Sequence, residues 1–266
     1  MAGAEKFSSD ADGLMAVLRR LRGPDGCPWD KAQTRHTLTA HLAGECAELI
    51  DAVDREDAAG ICDETGDVLM NLFLQIAIAE EKGEFTLSDV WQNEISKMVR
   101  RHAHIFGEEK AETPGEVTAL WEKIKAQERA GKPQKESILD DVPHYLSPLS
   151  RAEKLQKKAA KVGFDWQREK DILAKIREEV DELEEAMDSG NVSAVEDELG
   201  DLLFAAVNLI RFRKGQDSEA LLRQACRKFE NRFRFIEKSL KAEGVSLESA
   251  GIERMETLWQ AAKKGE

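Results

Sequence analysis

Residues 178–208 read EEVDELEEAMDSGNVSAVEDELGDLLFAAVN, and this stretch decides the fold. Apolar and acidic residues recur at spacings of three and four on both sides of a short polar segment at 189–194. This spacing is typical of amphipathic α-helices, and so short a connection makes consecutive helices antiparallel neighbours. The stretch therefore predicts a helical hairpin.

The hairpin carries two acidic pairs. Glu179 and Glu182 lie three residues apart on the first helix, and Glu198 and Asp201 lie three apart on the second. Residues three apart share one face of a helix, so all four carboxylates can meet across the hairpin. Such a cluster needs cations, and its oxygen ligands suit Mg²⁺ or Mn²⁺, bound singly or as a pair. We therefore predict a divalent-metal site.

A solvated helix surface is the alternative, because Glu-x-x-Glu is common on charged helices. Two features of residues 198–204, ELGDLLF, favour a site. The helix is apolar on most sides, which predicts that its carboxylates are buried, and a buried carboxylate is destabilising unless it is paired or metal-bound. Gly200 lowers helix propensity by about 1 kcal/mol, which predicts close approach of another helix or a ligand at this position.

The same pattern occurs at 44–74, GECAELIDAVDREDAAGICDETGDVLMNLFL. Its acidic pairs are Glu45 with Glu48 and Glu64 with Asp67, and in each half the second pair begins sixteen residues after the first pair ends. Three further features recur in the same order: an aromatic segment at 27–30 or 163–166, with Trp29 or Trp166; a basic pair, Lys97 with Arg101 or Lys228 with Arg232; and a closing tryptophan, Trp121 or Trp259. This ordered recurrence indicates internal duplication, with one site design used twice.

The basic pairs and the tryptophans are candidate ligand-binding residues. Lys228 and Arg232 lie four apart on one helix face, where they can meet phosphates that a metal leaves unneutralised; surface ion pairing is the alternative. Trp166 and Trp259 can stack on a base, whereas the more common role of a tryptophan at helical spacing is core packing.

Helical patterns account for nearly all of the chain, whereas strand signals are almost absent. The predicted helices are 10–22, 36–53, 61–81, 88–106 and 116–129, followed by 151–162, 169–188, 195–214, 218–243 and 252–263. Three of the six prolines fall between Gly131 and Ser150, which marks a linker. We predict an all-α protein with helical bundle modules at 1–130 and 151–266, joined by a linker at 131–150.

Two helix starts have clear capping signals. Ser193 with Glu196 forms a capping-box pattern, and Thr113 with Pro114 and Glu116 combines a cap, a first-turn proline and the reciprocal acid. We therefore expect helices to begin at these residues.

Composition limits the partners and the location. The formal net charge of −13 disfavours non-specific binding to nucleic acid or to an anionic membrane. The most hydrophobic stretch, 68–79, is interrupted by Asn71 and Gln75 and is too short to span a bilayer. Residues 1–13 lack the apolar segment of a signal peptide, and the four cysteines show no metal-ligand spacing. We predict a soluble cytoplasmic protein with reduced thiols.

Taken together, these residues resemble the MazG nucleoside triphosphate pyrophosphohydrolases of the all-α NTP pyrophosphatase group. That family is characterised by Glu-x-x-Glu followed by Glu-x-x-Asp on paired helices. The resemblance extends to Cys-Pro-Trp-Asp at 27–30, to Gly-Asp-Leu-Leu-Phe at 200–204 and to the closing tryptophan helix. It implies tandem MazG-like modules and Mg²⁺-dependent hydrolysis of NTPs and dNTPs to monophosphates and pyrophosphate, with broad tolerance for the base.

The resemblance also implies roles for the candidate residues. It implies that metal binding and catalysis are carried out by Glu179, Glu182, Glu198 and Asp201. In this mechanism, water attacks the α-phosphorus in line with the bond that breaks. Phosphate and base binding fall to Lys228, Arg232, Asn208, Trp166 and Trp259. The resemblance implies a homodimer as well, which agrees with helix 195–214 being apolar on more sides than one short antiparallel partner can cover.

The two halves are not equivalent, and the second half is also more acidic around its first pair, with Glu178, Asp181, Glu184 and Glu185. Asn208, seven residues after Asp201, resembles a polar site residue of the family, whereas Leu74 holds the matching position after Asp67. We therefore expect the main catalytic site in the second half, while activity of the first half and the preferred base stay open. The alternatives are a non-catalytic Mg-nucleotide-sensing or assembly module and a helical scaffold with solvated charge, the latter disfavoured by the expected burial of Asp67 and Asp201.

Overall fold

The computed structural model describes residues 7–130, 136–215 and 217–265. All regular secondary structure in these described residues is helical, which confirms the predicted all-α fold. The chain divides into two compact units, Met1–Lys132 and Pro133–Glu266. Residues 131–135 of the predicted linker lie outside the described residues.

The helices follow one another with short connections in both units. In the first unit they are α1 (Ala11–Arg22), α2 (Pro28–Ala32), α3 (Arg35–Asp54), α4 (Ala58–Glu81), α5 (Leu87–Arg101), α6 (Ala103–Phe106) and α7 (Pro114–Ala130). In the second they are α8 (Pro148–Ala160), α9 (Glu169–Ser189), α10 (Val192–Arg213), α11 (Ser218–Glu243) and α12 (Leu247–Lys264). Among the described helices, none is both long and apolar enough to cross a membrane.

Each of the ten predicted helices overlaps an observed helix, and the differences have local causes. The aromatic segment after α1 forms the short helix α2, whose first residue is Pro28, a residue suited to the first helical turn. The predicted helix at 88–106 is divided at His102, which has non-helical φ and ψ angles of −103° and 46°.

One of the two capping predictions is confirmed and the other is wrong. At the start of α7, the backbone N–H of Glu116 donates to Thr113 Oγ1 at 3.3 Å, and the backbone N–H of Thr113 donates to Glu116 Oε2 at 3.1 Å. Ser193 does not cap α10, because Asn191 already does so: its Oδ1 accepts from the backbone N–H of Ala194 at 3.4 Å. Asparagine is as good a cap as serine, so α10 begins before Ser193.

The predicted helical hairpin is present in both units, as α3–α4 and as α9–α10. Gly190 ends α9 with a φ of 71°, a left-handed conformation that glycine adopts without strain and that allows the chain to reverse at once. In the first unit the turn contains Glu56 with a φ of 56°. Both turns bring the two acid-bearing helices side by side.

The two units bury different residues against their hairpins. In the first unit, α1 contributes Met15 and Leu18 to an apolar core with Leu38 and Leu74. In the second unit, the buried residues of α8 are Glu153 and Gln156. The first unit thus has a continuous apolar core beneath its hairpin, whereas the second has polar groups there.

Candidate active site

The acidic cluster of the second unit is formed by three of the four predicted carboxylates. Glu179, Glu182 and Glu198 each offer an oxygen, and these oxygens all lie within 4.8 Å of one another. Glu179 is only 5% exposed, whereas Glu182 is exposed. Three hard oxygen donors at this spacing fit a divalent cation.

Lys175, which sequence reasoning missed, supplies positive charge to this cluster. Its Nζ lies 3.0 Å from Glu179 Oε1, 2.7 Å from Glu178 Oε1 and 3.8 Å from Glu182 Oε2. Hydrogen bonds to Glu178 and then to Glu179 raise the pKa of Lys175. Burial raises the pKa of Glu182, and the charges of Glu179 and Glu198 add to this rise against the lowering effect of Lys175. The ammonium group therefore offsets part of the negative charge of the cluster.

The first unit contains the matching cluster. Glu45, Glu48 and Glu64 each offer an oxygen within 4.8 Å of the others. Burial, followed by the charge of Glu48, raises the pKa of Glu64, and Glu64 Oε2 is buried without a hydrogen-bond partner among the described residues. The position that matches Lys175, four residues before the first glutamate, is His41. Its ring contacts Trp29 at a centroid distance of 5.6 Å.

The expected burial of Asp67 and Asp201 is wrong. Both residues are exposed, and neither belongs to the groups of described residues whose oxygens lie together. The physical reason is that α10 is covered by its neighbours on only part of its circumference, so that Leu199 and Leu203 are also 45% and 62% exposed. The apolar residues around both aspartates predicted that these helices are buried. Composition does not show which face of a helix is covered by the rest of its unit.

The expected close approach at the helix glycines is also absent within the units. A Cβ atom added to Gly66 or to Gly200 meets no atom of the described chain within 4 Å. Both glycines lie on the exposed side of their helices. The burial of Glu179, which is 5% exposed, still disfavours a fully solvated scaffold, whereas the aspartates and the glycines do not.

A cavity of about 630 Å³ lies beside the acidic cluster of the second unit. Lys175, which contacts Glu179 of the cluster, also lines this cavity. Aromatic and aliphatic side chains form most of its wall, and polar atoms enter it from α8, α9 and α10. The apolar lining includes Leu155, Phe164, Trp166 and Phe204, and the polar lining includes Gln156, Asp165, Lys175, Asn208 and Arg211. A mostly apolar cavity with a few polar groups is typical of a small-molecule site.

A hydrogen-bond network holds Asn208 and the 163–166 segment in the cavity wall. Arg211, whose side chain is 8% exposed, donates to Asn208 Oδ1 from Nε at 3.1 Å and from Nη2 at 2.8 Å. Its Nη1 donates to Asp165 Oδ2 at 3.1 Å, and this bonding lowers the pKa of Asp165. Asp165 and Arg211 were not predicted, because no local pattern connects residues so far apart in sequence.

The remaining predicted residues of the second unit form a separate group on α11 and α12. Lys228 is exposed. The Arg232 guanidinium lies 5.3 Å from the Trp259 ring centroid, and Trp259 also contacts Phe229 at 5.4 Å. These residues are not among the described residues that line the cavity. The structure therefore places Trp166 and Asn208 in the lining of the cavity, and Trp259 is not among the described residues of that lining.

The basic pair of the first unit is engaged in ion pairs. Lys97 pairs with Glu94 one helical turn away, and Arg101 Nη2 lies 2.7 Å from Glu128 Oε2. Trp121 packs edge-on against His102 at 4.9 Å. These contacts correspond to the surface ion pairing and core packing that the sequence left as alternatives.

The cavity has no room to form at the matching place in the first unit. Leu74 and Ala77 hold the positions of Asn208 and Arg211, and they are 0% and 2% exposed. Leu74 packs in the apolar core with Met15 and Leu18. Side chains thus fill the place where the second unit has its polar network.

The family model described as the MazG nucleotide pyrophosphohydrolase domain matches residues 33–106 and 167–234 of the chain. The chain belongs to the MazG family. The two matches cover α3 to α6 and most of α9 to α11, so the predicted tandem duplication is confirmed. Both acidic clusters lie within the matched residues.

Curated relatives resemble the chain over nearly its whole length. It is 42% identical over 258 residues to the nucleoside triphosphate pyrophosphohydrolase of Escherichia coli K12, covering 96% of this chain and 97% of that protein. It is 40% identical to the nucleoside triphosphate pyrophosphohydrolase/pyrophosphatase MazG of Thermotoga maritima, covering 95% of each. A solved MazG-related protein from Thermotoga maritima is 29% identical over 43% of this chain and 98% of that chain, with a TM-score of 0.38.

Proposed function

We propose that the protein is a nucleoside triphosphate pyrophosphohydrolase, which converts an NTP or dNTP and water into the monophosphate and pyrophosphate. The names of the full-length relatives support this activity. The observation that carries it is the position of Lys175, which contacts the carboxylate cluster and also lines the apolar cavity. One nucleotide could therefore place its phosphates at the cluster and its base in the cavity.

Mg²⁺ is the cofactor that we propose for this cluster, and Mn²⁺ would substitute. The carboxylates of Glu179, Glu182 and Glu198 would hold the cation. Asp201, which lies on α10 with Glu198, would be a further ligand. A cation bound there supplies positive charge that polarises the phosphate and the attacking water. Glutamate and aspartate oxygens are the donors that this ion prefers.

The side chains of the second unit would then position the substrate for in-line attack of water on the α-phosphorus. Lys175 is the cation already beside the cluster, and we assign it to the phosphates. Trp166 would contact the base, and Asn208, which Arg211 holds in place, would orient it. A cluster carboxylate would orient the water, so no covalent intermediate is needed.

For the first unit we propose metal binding without turnover. Its cluster of Glu45, Glu48 and Glu64 supports cation binding, whereas the burial of Leu74 leaves no cavity for a base at the matching position. The non-catalytic sensing or assembly role that the sequence left open is therefore assigned to this unit.

We also propose that the protein is a homodimer in the cytoplasm. Support for the dimer comes from large apolar side chains that the unit leaves uncovered, among them Leu203 at 62% and Phe229 at 57% exposure. Exposed apolar surface favours association. The location is supported by four free cysteines in the described residues. A monomeric mass by light scattering at micromolar concentration would reject the dimer.

The proposed activity is tested by incubating the protein with Mg²⁺ and each triphosphate in turn, followed by separation of the products. AMP and pyrophosphate are expected from ATP, and excess chelator is expected to stop the reaction. Glu179→Gln is the control for a contaminating hydrolase, because it removes one carboxylate and keeps the side-chain shape. ADP with phosphate as the first products, or full turnover in chelator, would contradict the proposal.

A further inference from the structure

Gln156 on α8 has a buried polar atom that the fold leaves unsatisfied. The residue is 7% exposed and lines the cavity together with Trp166 and Phe204. Its Nε2 donates to the backbone carbonyl of Phe204 at 2.9 Å, whereas its Oε1 is buried without a hydrogen-bond partner among the described residues. Buried acceptors in native proteins nearly always have a donor, so Oε1 needs a donor that the described residues do not supply.

The bond to Phe204 fixes which end of the amide is the acceptor. Turning the amide by 180° would place Oε1 against the Phe204 carbonyl oxygen, and two acceptors would then face each other without a hydrogen. Gln156, which lines the cavity, therefore keeps Oε1 as its unsatisfied end, and the group that satisfies it must carry an N–H or an O–H.

The residues around Gln156 indicate the shape of that group. Phe164, Trp166 and Phe204 line the same cavity, and aromatic side chains pack well on the face of another ring. Asn208 is held in a fixed orientation as well, because its Oδ1 accepts from Arg211 Nη2 at 2.8 Å, which leaves Nδ2 as the donor end. A flat heteroaromatic ring with an N–H on its edge fits this combination of apolar walls, acceptor and donor.

We propose that Gln156 Oε1 accepts a hydrogen bond from an N–H group on the base of the nucleotide. Gln156 is thereby a specificity-determining residue, which favours bases that carry an N–H donor over bases that lack one. This inference rests on the proposed function, because it describes how the same site recognises its substrate. A base that carries an N–H would satisfy this buried acceptor, whereas a base without an N–H would leave it unpaired.

The test compares kcat/KM for ATP and for purine riboside triphosphate, which lacks the 6-amino group and has no N–H on its base. CTP and pyrimidin-2-one riboside triphosphate form the equivalent pyrimidine pair. Wild-type protein is expected to prefer the N–H-bearing member of a pair by about tenfold, and Gln156→Leu is expected to reduce this preference to about onefold. Gln156→Met serves as a second variant of similar length, and circular dichroism checks the folding of both.

Leu155→Ala is the matched control, because Leu155 is the neighbouring residue of α8 and lines the same cavity without a polar atom. It is expected to weaken both members of a pair equally and to keep the preference. Equal kcat/KM values for both members of each pair in the wild type would overturn the inference, as would an unchanged preference in the folded Gln156 variants. If the wild type releases no monophosphate from any triphosphate, the proposed function itself fails, and the inference fails with it.

Discussion

The two units contain the same acidic cluster and differ in what lies beside it. In the second unit, Asn208 and Arg211 line a cavity next to the carboxylates. In the first unit, Leu74 and Ala77 hold these positions within the packed core. The acidic cluster is compatible with a packed apolar core, as in the first unit. The cavity of the second unit is found where polar residues that bind each other, Asn208 and Arg211, take the place of core residues. The two units therefore share the acidic cluster, whereas the cavity with its polar network lies in the second unit.

The clusters also differ in their counter-charge. Lys175 Nζ lies 3.0 Å from Glu179 Oε1 in the second unit, whereas His41 holds the matching position in the first and contacts Trp29. Glu64 Oε2 in the first unit is buried without a partner among the described residues. The first cluster thus keeps more uncompensated negative charge, which favours a bound cation even though no base cavity adjoins it.

The largest expected difference between the units is the effect of removing one carboxylate. Glu198→Gln should lower kcat by about a hundredfold or more, because it removes a proposed metal ligand from the unit with the cavity. Glu64→Gln, the matched change in the first unit, should leave most of the activity. Steady-state hydrolysis of ATP by both folded variants measures the difference. Asp201→Asn and Asp67→Asn should follow the same order. Equal losses in both units would show that the first unit is also catalytic.

A second prediction exchanges the residues that distinguish the cavity from the core. Asn208→Leu removes the acceptor of Arg211 and puts an apolar group in the cavity, so kcat/KM should fall by about tenfold or more. Leu74→Asn places an amide at a fully buried position and should destabilise the first unit by about 2–4 kcal/mol, with little change in activity. Urea denaturation and ATP hydrolysis, measured on both variants, separate the two effects. Loss of activity in folded Leu74→Asn would contradict the assignment of a filled core.

The features that the sequence predicted are those that depend on local spacing. The helices and the acidic pairs follow from residues three or four apart, and these patterns placed Glu179, Glu182 and Glu198 in one cluster. The cavity network was not predictable, because Asp165 and Arg211 are 46 residues apart and neither belongs to a periodic pattern. Lys175 lies only four residues before Glu179, so local spacing connects the two residues. The sequence nevertheless does not distinguish Lys175 from the other charged residues of this helix.

The error on the aspartates has a different origin. The apolar residues around Asp201 predicted a buried helix, and the structure leaves Leu203 62% exposed beside it. A single sequence shows how much apolar surface a helix carries, but it does not show whether that surface is covered by the same unit. The prediction of a dimer uses the same observation, since uncovered apolar surface needs a partner outside the unit.

A third, smaller effect concerns the counter-charge of the clusters. Lys175→Met should increase the Mg²⁺ affinity of the second cluster by about three- to tenfold, because the metal no longer competes with the ammonium group for the carboxylates. His41→Leu is the matched change and should alter the Mg²⁺ affinity of the first cluster by less than about twofold, because the His41 ring packs against Trp29. Isothermal titration with Mg²⁺ in the absence of nucleotide measures both. A weaker Mg²⁺ affinity in Lys175→Met would mean that Lys175 organises the ligands and does not compete for them.

The smallest expected effect concerns the helices that follow each hairpin. In the first unit, Glu128 on α7 pairs with Arg100 and Arg101 on α5, and hydrogen bonds from Arg101 and then Arg100 lower the pKa of Glu128 to about 2. In the second unit, α11 and α12 pack through Ile236, Leu240 and Leu258. Glu128 thus joins α5 and α7 by ion pairs, whereas α11 and α12 are joined by this apolar cluster and also by the Glu243–Arg254 ion pair.

The Glu128 ion pairs should therefore depend on pH, whereas the apolar contact of Leu258 should not. Because the folded pKa of Glu128 is depressed, its contribution to stability is fully present above the ordinary pKa of 4.5 and is lost as the pH falls toward about 2. The urea midpoints of wild type and Glu128→Gln should therefore differ at pH 7, and the difference should narrow as the pH falls from 4.5 toward 2.5. Leu258→Ala should lower stability by about 2–4 kcal/mol, nearly equally at each pH at which the unit remains folded, because the lost contact carries no charge. A Glu128→Gln difference that persists unchanged at pH 2.5 would mean that packing and not charge holds α7 against α5.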